Sequence, residues 1–107
     1  MIVELFQDIV IKIGKNAPEN WGLIDKSHDK FTWLHLNSYP SGHVVIECKN
    51  PSSEIIYTAA SLCKENTKYR NLKNVKVVYT LIENLKKGEE VGSVYYKSNR
   101  KVNYIII

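Results

Sequence analysis

Side chains that can stack on a base or hydrogen-bond a phosphate surround one turn of this 107-residue chain. Trp33 and His35 are two residues apart in a run typical of a strand, so they share one face of it. Ser41 lies in the turn-forming segment Pro40–Gly42, and His43 opens the next apolar run. If the two runs pair as a hairpin, one face carries an indole and up to two imidazoles. This pattern indicates stacking and hydrogen bonding to nucleic acid.

Each of these aromatic residues also has a structural interpretation. A tryptophan on a strand is more often core than stacking platform, and the sequence favours the core for Trp33. RNA cleavage by the two histidines, one as base and one as acid, is an alternative in which Lys15 would stabilise the phosphorane. Because the sequence shows no nucleophile motif, metal-ligand spacing or paired carboxylates, we expect no enzyme activity and assign no catalytic residue.

Positive charge is concentrated in the second half of the chain. Residues 1–53 carry five Lys and six Asp or Glu, whereas residues 54–107 carry ten Lys or Arg and five Glu. We therefore expect the second half of the chain to form the surface that faces a polyanion. The residues expected to follow a phosphate backbone there are Lys68, Arg70, Lys73 and Lys76, with Tyr69 as a stacking face.

A second anion site is predicted at the start of a short helix. Lys15 and Asn16 precede it, and free backbone N–H groups at a helix N-terminus favour anions. A simple turn with Asn16 as the helix cap is the alternative interpretation.

Cysteine and histidine usage argues against cofactors. Cys48 and Cys63 are the only cysteines, and two free thiols in a reduced compartment are favoured over a disulfide. The three histidines have no zinc-site spacing, so neither metal nor cofactor is expected.

No apolar run approaches the roughly 20 residues of a membrane helix. We expect a cytoplasmic protein without a membrane partner.

The elements that must position these residues indicate an α+β fold in a single domain, residues 1–107. We expect a mostly antiparallel sheet, with helices largely on one face, one short (about 17–25, capped by Asn16) and one long (from Ser52 or Ser53 to about Lys68). Lys64 should face water on the long helix. Residues 81–92 read as a polar connection, and the last two strands as a hairpin around residues 98–100. The predicted strands are Val3–Phe6, Ile9–Ile13, Phe31–Leu36, His43–Cys48, Val75–Thr80, Ser93–Tyr96 and Val102–Ile107.

Four blocks of the sequence, taken in order, resemble the NFACT-R family. They are GKNAPEN (Gly14–Asn20), WLHLNSYPSGHVVI (Trp33–Ile46), VKVVYTLIENLKK (Val75–Lys87) and VGSVYY (Val91–Tyr96). Together they cover nearly the whole chain, with compatible gaps between them.

The resemblance implies an RNA-binding module linked to translation or ribosome quality control. In large members of the family this domain is the C-terminal module of tailing factors that bind tRNA and the large ribosomal subunit. A short eukaryotic relative is linked to DNA binding, which makes DNA a further candidate partner. Because this sequence lacks the other domains of the large members, tail elongation by this chain alone is not expected.

The expected partner is RNA, either tRNA or rRNA. The alternative is a protein-interaction module that docks on a ribosome- or tRNA-associated protein through the exposed edge of the Tyr-rich C-terminal hairpin, which includes Val102–Ile107. The resemblance adds Asn20, Lys86 and Lys87 to the contacts proposed above. The complete set of predicted nucleic-acid contacts is Lys15, Asn16, Asn20, Trp33, His35, Ser41, His43, Lys68, Arg70, Lys73, Lys86 and Lys87.

Overall fold

Eight strands and two helices make up the computed structural model, which describes all residues from Met1 to Ile107. One-turn 3₁₀ helices follow at Ile82–Asn84 and Asn99–Lys101. The strands are β1 (Ile2–Phe6), β2 (Ile9–Ile13), β3 (Phe31–Leu36), β4 (Val44–Lys49), β5 (Lys76–Leu81), β6 (Leu85–Lys87), β7 (Val94–Tyr96) and β8 (Asn103–Ile106), and the helices are α1 (Ala17–Lys26) and α2 (Ser53–Glu65).

The strands form one large sheet and one small ribbon. The sheet has six strands in the order β1-β2-β4-β3-β5-β8, and every neighbouring pair is antiparallel. The strands β6 and β7 pair only with each other. The predicted α+β class, with a mostly antiparallel sheet and one long and one short helix, is confirmed.

The predicted C-terminal hairpin is wrong. β7 pairs with β6, within the segment expected to be a polar connection, and β8 pairs with β5 instead. Pairing Ile105 with Val77 brings Ile105 against the core beneath α2, and Ile107 packs there too. Since burying these side chains requires the large sheet, the final strand joins β5 rather than its neighbour in sequence.

The helices cover opposite faces of the sheet, contrary to the expectation that they share one face. β3 and β4 are apolar on both faces: Leu34 and Val44 pack with α2, whereas Trp33 and Val45 pack on the other side. Both faces therefore need a cover. The second face is closed by α1, the ribbon and the first 3₁₀ helix, through Leu23, Leu85 and Ile82 respectively.

Side-chain caps start both helices. The Asn16 Oδ1 atom accepts a hydrogen bond from the Glu19 backbone N–H at 3.0 Å, and Pro18 lies in the first turn. The Ser52 hydroxyl accepts one from the Ile55 N–H at 3.3 Å. The long helix ends at Glu65 rather than near Lys68.

Lys64 is buried, which corrects the expectation that it faces water. Its side chain reaches the C-terminal strand, where Nζ donates to the Ile107 carbonyl at 3.2 Å. The long aliphatic stem covers apolar surface while the ammonium finds an acceptor.

The free thiols predicted from the sequence are confirmed. Cys48 is half-buried and Cys63 buried, and the two are not joined. Burial raises the pKa of the Cys63 thiol to about 11, which leaves it unreactive. No three His, Cys, Asp or Glu side chains come together as metal ligands would. Neither helix has the length and apolar character that a membrane crossing requires.

Candidate nucleic-acid interface

The turn between β3 and β4 is fixed by Ser41. Its hydroxyl accepts a hydrogen bond from the Leu36 N–H at 3.1 Å and donates to the Gly42 carbonyl at 3.0 Å. At Gly42, an added Cβ atom would lie 2.1 Å from the carbonyl oxygen of Gly14. The turn therefore lies directly against the segment that leads from β2 into α1.

Asn20 anchors the start of α1 to the same turn. Its Oδ1 atom accepts a hydrogen bond from the His43 backbone N–H at 3.0 Å, and the Gly14 N–H donates to the His43 carbonyl at 2.9 Å. Asn20 is buried. The structure gives it an internal role in holding α1 against β4.

A cleft of about 510 Å³ lies beside this turn. Five of the predicted contact residues, from three separate stretches of sequence, line it. We call it the basic cleft; it is lined by Lys15, Asn16, Ala17, Asn20, Pro40, Ser41, Gly42, Asn66, Thr67, Lys68 and Tyr69.

The charge of the basic cleft comes from lysines rather than from the helix terminus. The Glu19 N–H is already bonded to the Asn16 side chain, so the alternative interpretation of Asn16 as a cap is confirmed. Glu19 accepts from the Lys15 N–H at 3.0 Å and pairs with the terminal amine of Met1. The hydrogen bond from Lys15 is the main cause that lowers the pKa of Glu19. Lys15 and Lys68 remain exposed, and no acidic side chain lines the cleft.

Two tyrosine rings pack against each other at a tilt beside the basic cleft, which Tyr69 lines. The ring centroids of Tyr39 and Tyr69 are 4.4 Å apart with an interplanar angle of 36°. The Lys68 Nζ atom lies 5.5 Å from the centre of the Tyr69 ring. Arg70 and Lys73 follow in the exposed segment that leads to β5. A base and its phosphate could be contacted together here.

A second concave site lies over the central strands, beneath the loop between β6 and β7. We call it the histidine pocket; its volume is about 250 Å³, and it is lined by Trp33, His35, Leu36, Asn37, His43, Gly92, Ser93, Val94 and Tyr96. The strands bring Trp33, His35 and His43 together, as the sequence predicts.

The aromatic rings of the histidine pocket pack on one another. Trp33 is 1% exposed and belongs to the core, so its ring faces are not open to a base as a stacking platform requires. Its centroid lies 5.8 Å from His35 in a parallel arrangement, 5.2 Å from His43 edge-on and 6.0 Å from Tyr96. His43 is 3% exposed, whereas His35 and Tyr96 are half-buried.

The environment keeps both histidines uncharged. Burial, together with repulsion from His35, lowers the pKa of His43 to about 3, against the opposing effect of the nearby Gly92 backbone. Burial also lowers the pKa of His35, whose Nδ1 atom lies 2.5 Å from the Leu36 carbonyl oxygen. Burial therefore disfavours the protonated form that one of the two histidines would need in acid–base cleavage of RNA.

Residues 4–98 match the family model of the NFACT protein RNA binding domain. The chain belongs to this family. The resemblance seen in the four sequence blocks is thereby confirmed.

Relatives of this NFACT domain occur in bacteria and animals. The chain is 34% identical over 98 residues to the Rqc2 homolog RqcH of Bacillus subtilis, covering 88% of this chain and 17% of that protein. It is 28% identical over 106 residues to the bovine coiled-coil domain-containing protein 25, covering 91% of this chain and 51% of that protein. The chain therefore spans from about a sixth to about half of these relatives.

A solved structure shares the fold. The C-terminal part of the fibronectin/fibrinogen-binding protein from Streptococcus suis superposes with a TM-score of 0.88 at 29% identity. The match covers 98% of this chain and 43% of that one.

The two lysines added by the family resemblance have different surroundings. In β6, the Lys87 Nζ atom lies 2.5 Å from Asp25 Oδ1 and 5.1 Å from the centre of the Trp21 ring. Lys86 is exposed and stands opposite the exposed Tyr95 in the ribbon. The charge of Lys87 is thus compensated within the protein, whereas no such ion pair holds Lys86.

Sequence reasoning missed Tyr39 and underestimated Tyr96. Tyr39 stands next to the turn proline, a position that offered no periodic signal. The sequence places Tyr96 only at the end of a predicted strand, and its position in the histidine pocket depends on the pairing of β7 with β6.

Proposed function

We propose that this chain is a non-catalytic RNA-binding module whose main phosphate-contacting surface is the basic cleft. Membership of the NFACT RNA-binding family supports the class of ligand. The observation that carries the proposal is the convergence of Lys15, Ser41 and Lys68 on one cleft without an acidic side chain. Arg70 and Lys73 extend the same positive surface along the following segment.

The physical basis of affinity is neutralisation of phosphate charge. Each lysine or arginine that contacts a phosphate releases condensed counterions, so binding weakens as salt is added. The neighbouring Tyr39 and Tyr69 rings add a contact that tolerates any base, because every base has a π face. Recognition by the cleft therefore favours exposed loops and ends of structured RNA over a uniform duplex.

The cellular context that we propose is ribosome quality control, with tRNA or rRNA as the ligand and a cytoplasmic location. A homologue named for this process, the RqcH protein, carries a segment 34% identical to most of this chain. Because that segment is 17% of RqcH, the activities of the whole protein do not transfer with it. DNA is the other candidate ligand, and its binding is compared with that of RNA.

The test is binding to tRNA, an rRNA stem-loop and duplex DNA across a salt series. We expect Lys15→Gln/Lys68→Gln to weaken RNA binding and to reduce the slope of log K against log salt by about 0.7–0.9 per lost contact. The matched control is Lys26→Gln/Lys49→Gln, which removes the same charge at exposed positions outside the cleft. Equal losses in the two double variants, or no salt-dependent RNA binding, would overturn the proposal.

A protein-docking module is the second candidate, and the position of β8 favours it. This strand is at the edge of the six-stranded sheet, and Tyr104 and Ile106 are each 52% exposed. An edge strand offers unpaired backbone groups to a partner strand. Docking through β8 would be insensitive to salt and to changes in the cleft lysines, so the same salt series separates the two functions.

A further inference from the structure

The histidine pocket contains two buried polar nitrogens that the fold leaves without partners. They are Nε1 of Trp33 and Nδ1 of His43, and no protein atom hydrogen-bonds either one. The two residues are 1% and 3% exposed and both line the pocket, although the two nitrogens themselves are closed off from solvent. Nearly all buried polar atoms in proteins are bonded, so two orphans in one site indicate that the site is adapted to something other than folding alone.

The lining of the pocket excludes a charged ligand. No lysine, arginine, aspartate or glutamate lines it, and both histidines are held neutral by burial. A phosphate would find no counter-charge in the pocket, whereas the basic cleft provides Lys15 and Lys68. An uncharged ligand is therefore favoured.

Size and wall chemistry narrow the ligand further. The volume of about 250 Å³ is below the roughly 300–1,000 Å³ of pockets for drug-sized molecules, so a single ring system fits better than a nucleotide. The half-buried rings of Tyr96 and His35 provide aromatic walls. The indole N–H is a donor, and the neutral imidazole nitrogen donates or accepts according to its tautomer. A flat heterocycle with polar groups along one edge complements this arrangement.

We propose that the histidine pocket binds one unstacked nucleobase, with its ring against Tyr96 and its polar edge toward Trp33 and His43. The base reaches the two nitrogens when the half-buried His35 side chain, which packs on both rings, moves aside. This inference rests on the proposed RNA binding and adds a base-reading site to the phosphate-binding cleft. The two sites are neighbours in the fold, because the Gly92 backbone of the pocket lies against Ala17 of the cleft. A Cβ atom added at Gly92 would be 2.9 Å from the Ala17 Cβ.

Uncharged ribonucleosides test the pocket without involving the cleft. Adenosine, guanosine, cytidine and uridine are titrated separately into ¹⁵N-labelled protein. Concentrations up to about 10 mM detect dissociation constants in the millimolar range. The chain has two tryptophans, and a Trp21→Phe variant assigns the remaining indole N–H signal to Trp33. We expect a saturable shift of this signal with at least one nucleoside, unchanged by added salt.

Tyr96→Leu supplies the matched comparison with Tyr95→Leu. Tyr96 lines the pocket, whereas its neighbour Tyr95 is 58% exposed on the other face of β7. We expect Tyr96→Leu to weaken nucleoside binding about tenfold, as loss of a base–aromatic stack does, and Tyr95→Leu to leave it unchanged. Amide spectra show whether each variant is folded. No shift with any nucleoside, or equal effects of the two variants, would overturn the proposal.

The ligand of the pocket could be a base within RNA or a free nucleoside. Binding of a single-stranded RNA with and without one abasic nucleotide distinguishes the two. Weaker binding of the abasic RNA to the wild-type protein, with no such difference in Tyr96→Leu, supports the base-reading role. Nucleoside binding without an effect of the abasic site overturns it. If no nucleoside binds but RNA binding is still salt-dependent, the base-binding role of the pocket is overturned and the proposed function is not.

Discussion

His43 is held uncharged by its surroundings, and this has consequences for stability. It is 3% exposed, it packs edge-on against Trp33, and its pKa is lowered to about 3 from an ordinary value of 6.5. Between these two values the unfolded chain binds more protons at this position than the folded chain does. The free energy of unfolding therefore falls as the pH is lowered through that window.

We predict that the protein loses stability between about pH 7.5 and pH 5. His43 alone contributes roughly 2 kcal/mol of this loss, since each pH unit below 6.5 removes about 1.4 kcal/mol from a group with so low a folded pKa. The lowered pKa of His35 acts in the same direction. Urea unfolding at the two pH values measures the loss.

His43→Gln should make the unfolding free energy less dependent on pH, even where the variant is less stable at both pH values. His28→Gln is the matched control, because His28 is an exposed histidine outside the pocket. If the two variants show the same pH dependence as the wild-type protein, His43 is not the group responsible.

At the scale of elements, the position of α1 depends on close contact between two glycine-containing segments. Gly42 in the turn after β3 comes so near the backbone of Gly14 that a Cβ atom would be 2.1 Å from its carbonyl oxygen. Gly22, in the middle of α1, has nothing within 4 Å of its Cβ position. The two glycines therefore have opposite significance for stability.

We predict that Gly42→Ala destabilises the protein by about 1–3 kcal/mol, because backbone rather than a flexible side chain must move. Gly22→Ala should instead stabilise it by about 0.5–1 kcal/mol, since alanine is the better helix former. Thermal or urea unfolding measures both. Loss of stability in Gly22→Ala, or none in Gly42→Ala, would contradict the contacts described for the turn.

The elements with strong local signals could be predicted from the sequence. The alternation in Ile9–Ile13, and the Asn16 and Ser52 caps, place β2 and the starts of both helices. Gln7 and Asp8 form the turn between β1 and β2 with positive φ angles of 50° and 62°. These features depend on neighbours in the chain.

Pairing between distant strands had no comparable local signal. The last strands are rich in Tyr and Ile on both faces, so their pattern did not reveal whether β8 pairs with β7 or with β5. The candidate site shows the same limit. The grouping of Trp33, His35 and His43 followed from one turn, whereas Lys68 and Lys15 line the same cleft only because the sheet order brings their segments together.

At the scale of the whole molecule, the lysines differ in how freely they can contact RNA, because some are held in ion pairs. Lys30 pairs with Glu83 at 2.7 Å, and this hydrogen bond is the main cause that lowers the pKa of Glu83. Lys87 pairs with Asp25 at 2.5 Å. A phosphate that approaches a paired lysine must compete with the carboxylate already there, so the count of 15 Lys and Arg residues overstates the positive charge that is free to contact RNA.

The neighbouring lysines of β6 allow this to be tested with the same change of net charge. We predict that Lys86→Gln reduces the salt slope of RNA binding by about 0.7–0.9, the value for one lost phosphate contact. Lys87→Gln should reduce it by less, because the Lys87 charge is already matched by Asp25. Asp25→Asn, which releases Lys87, should strengthen RNA binding at low salt. A larger loss for Lys87→Gln than for Lys86→Gln would mean that RNA displaces Asp25, and that the ribbon and the end of α1 belong to the binding surface together.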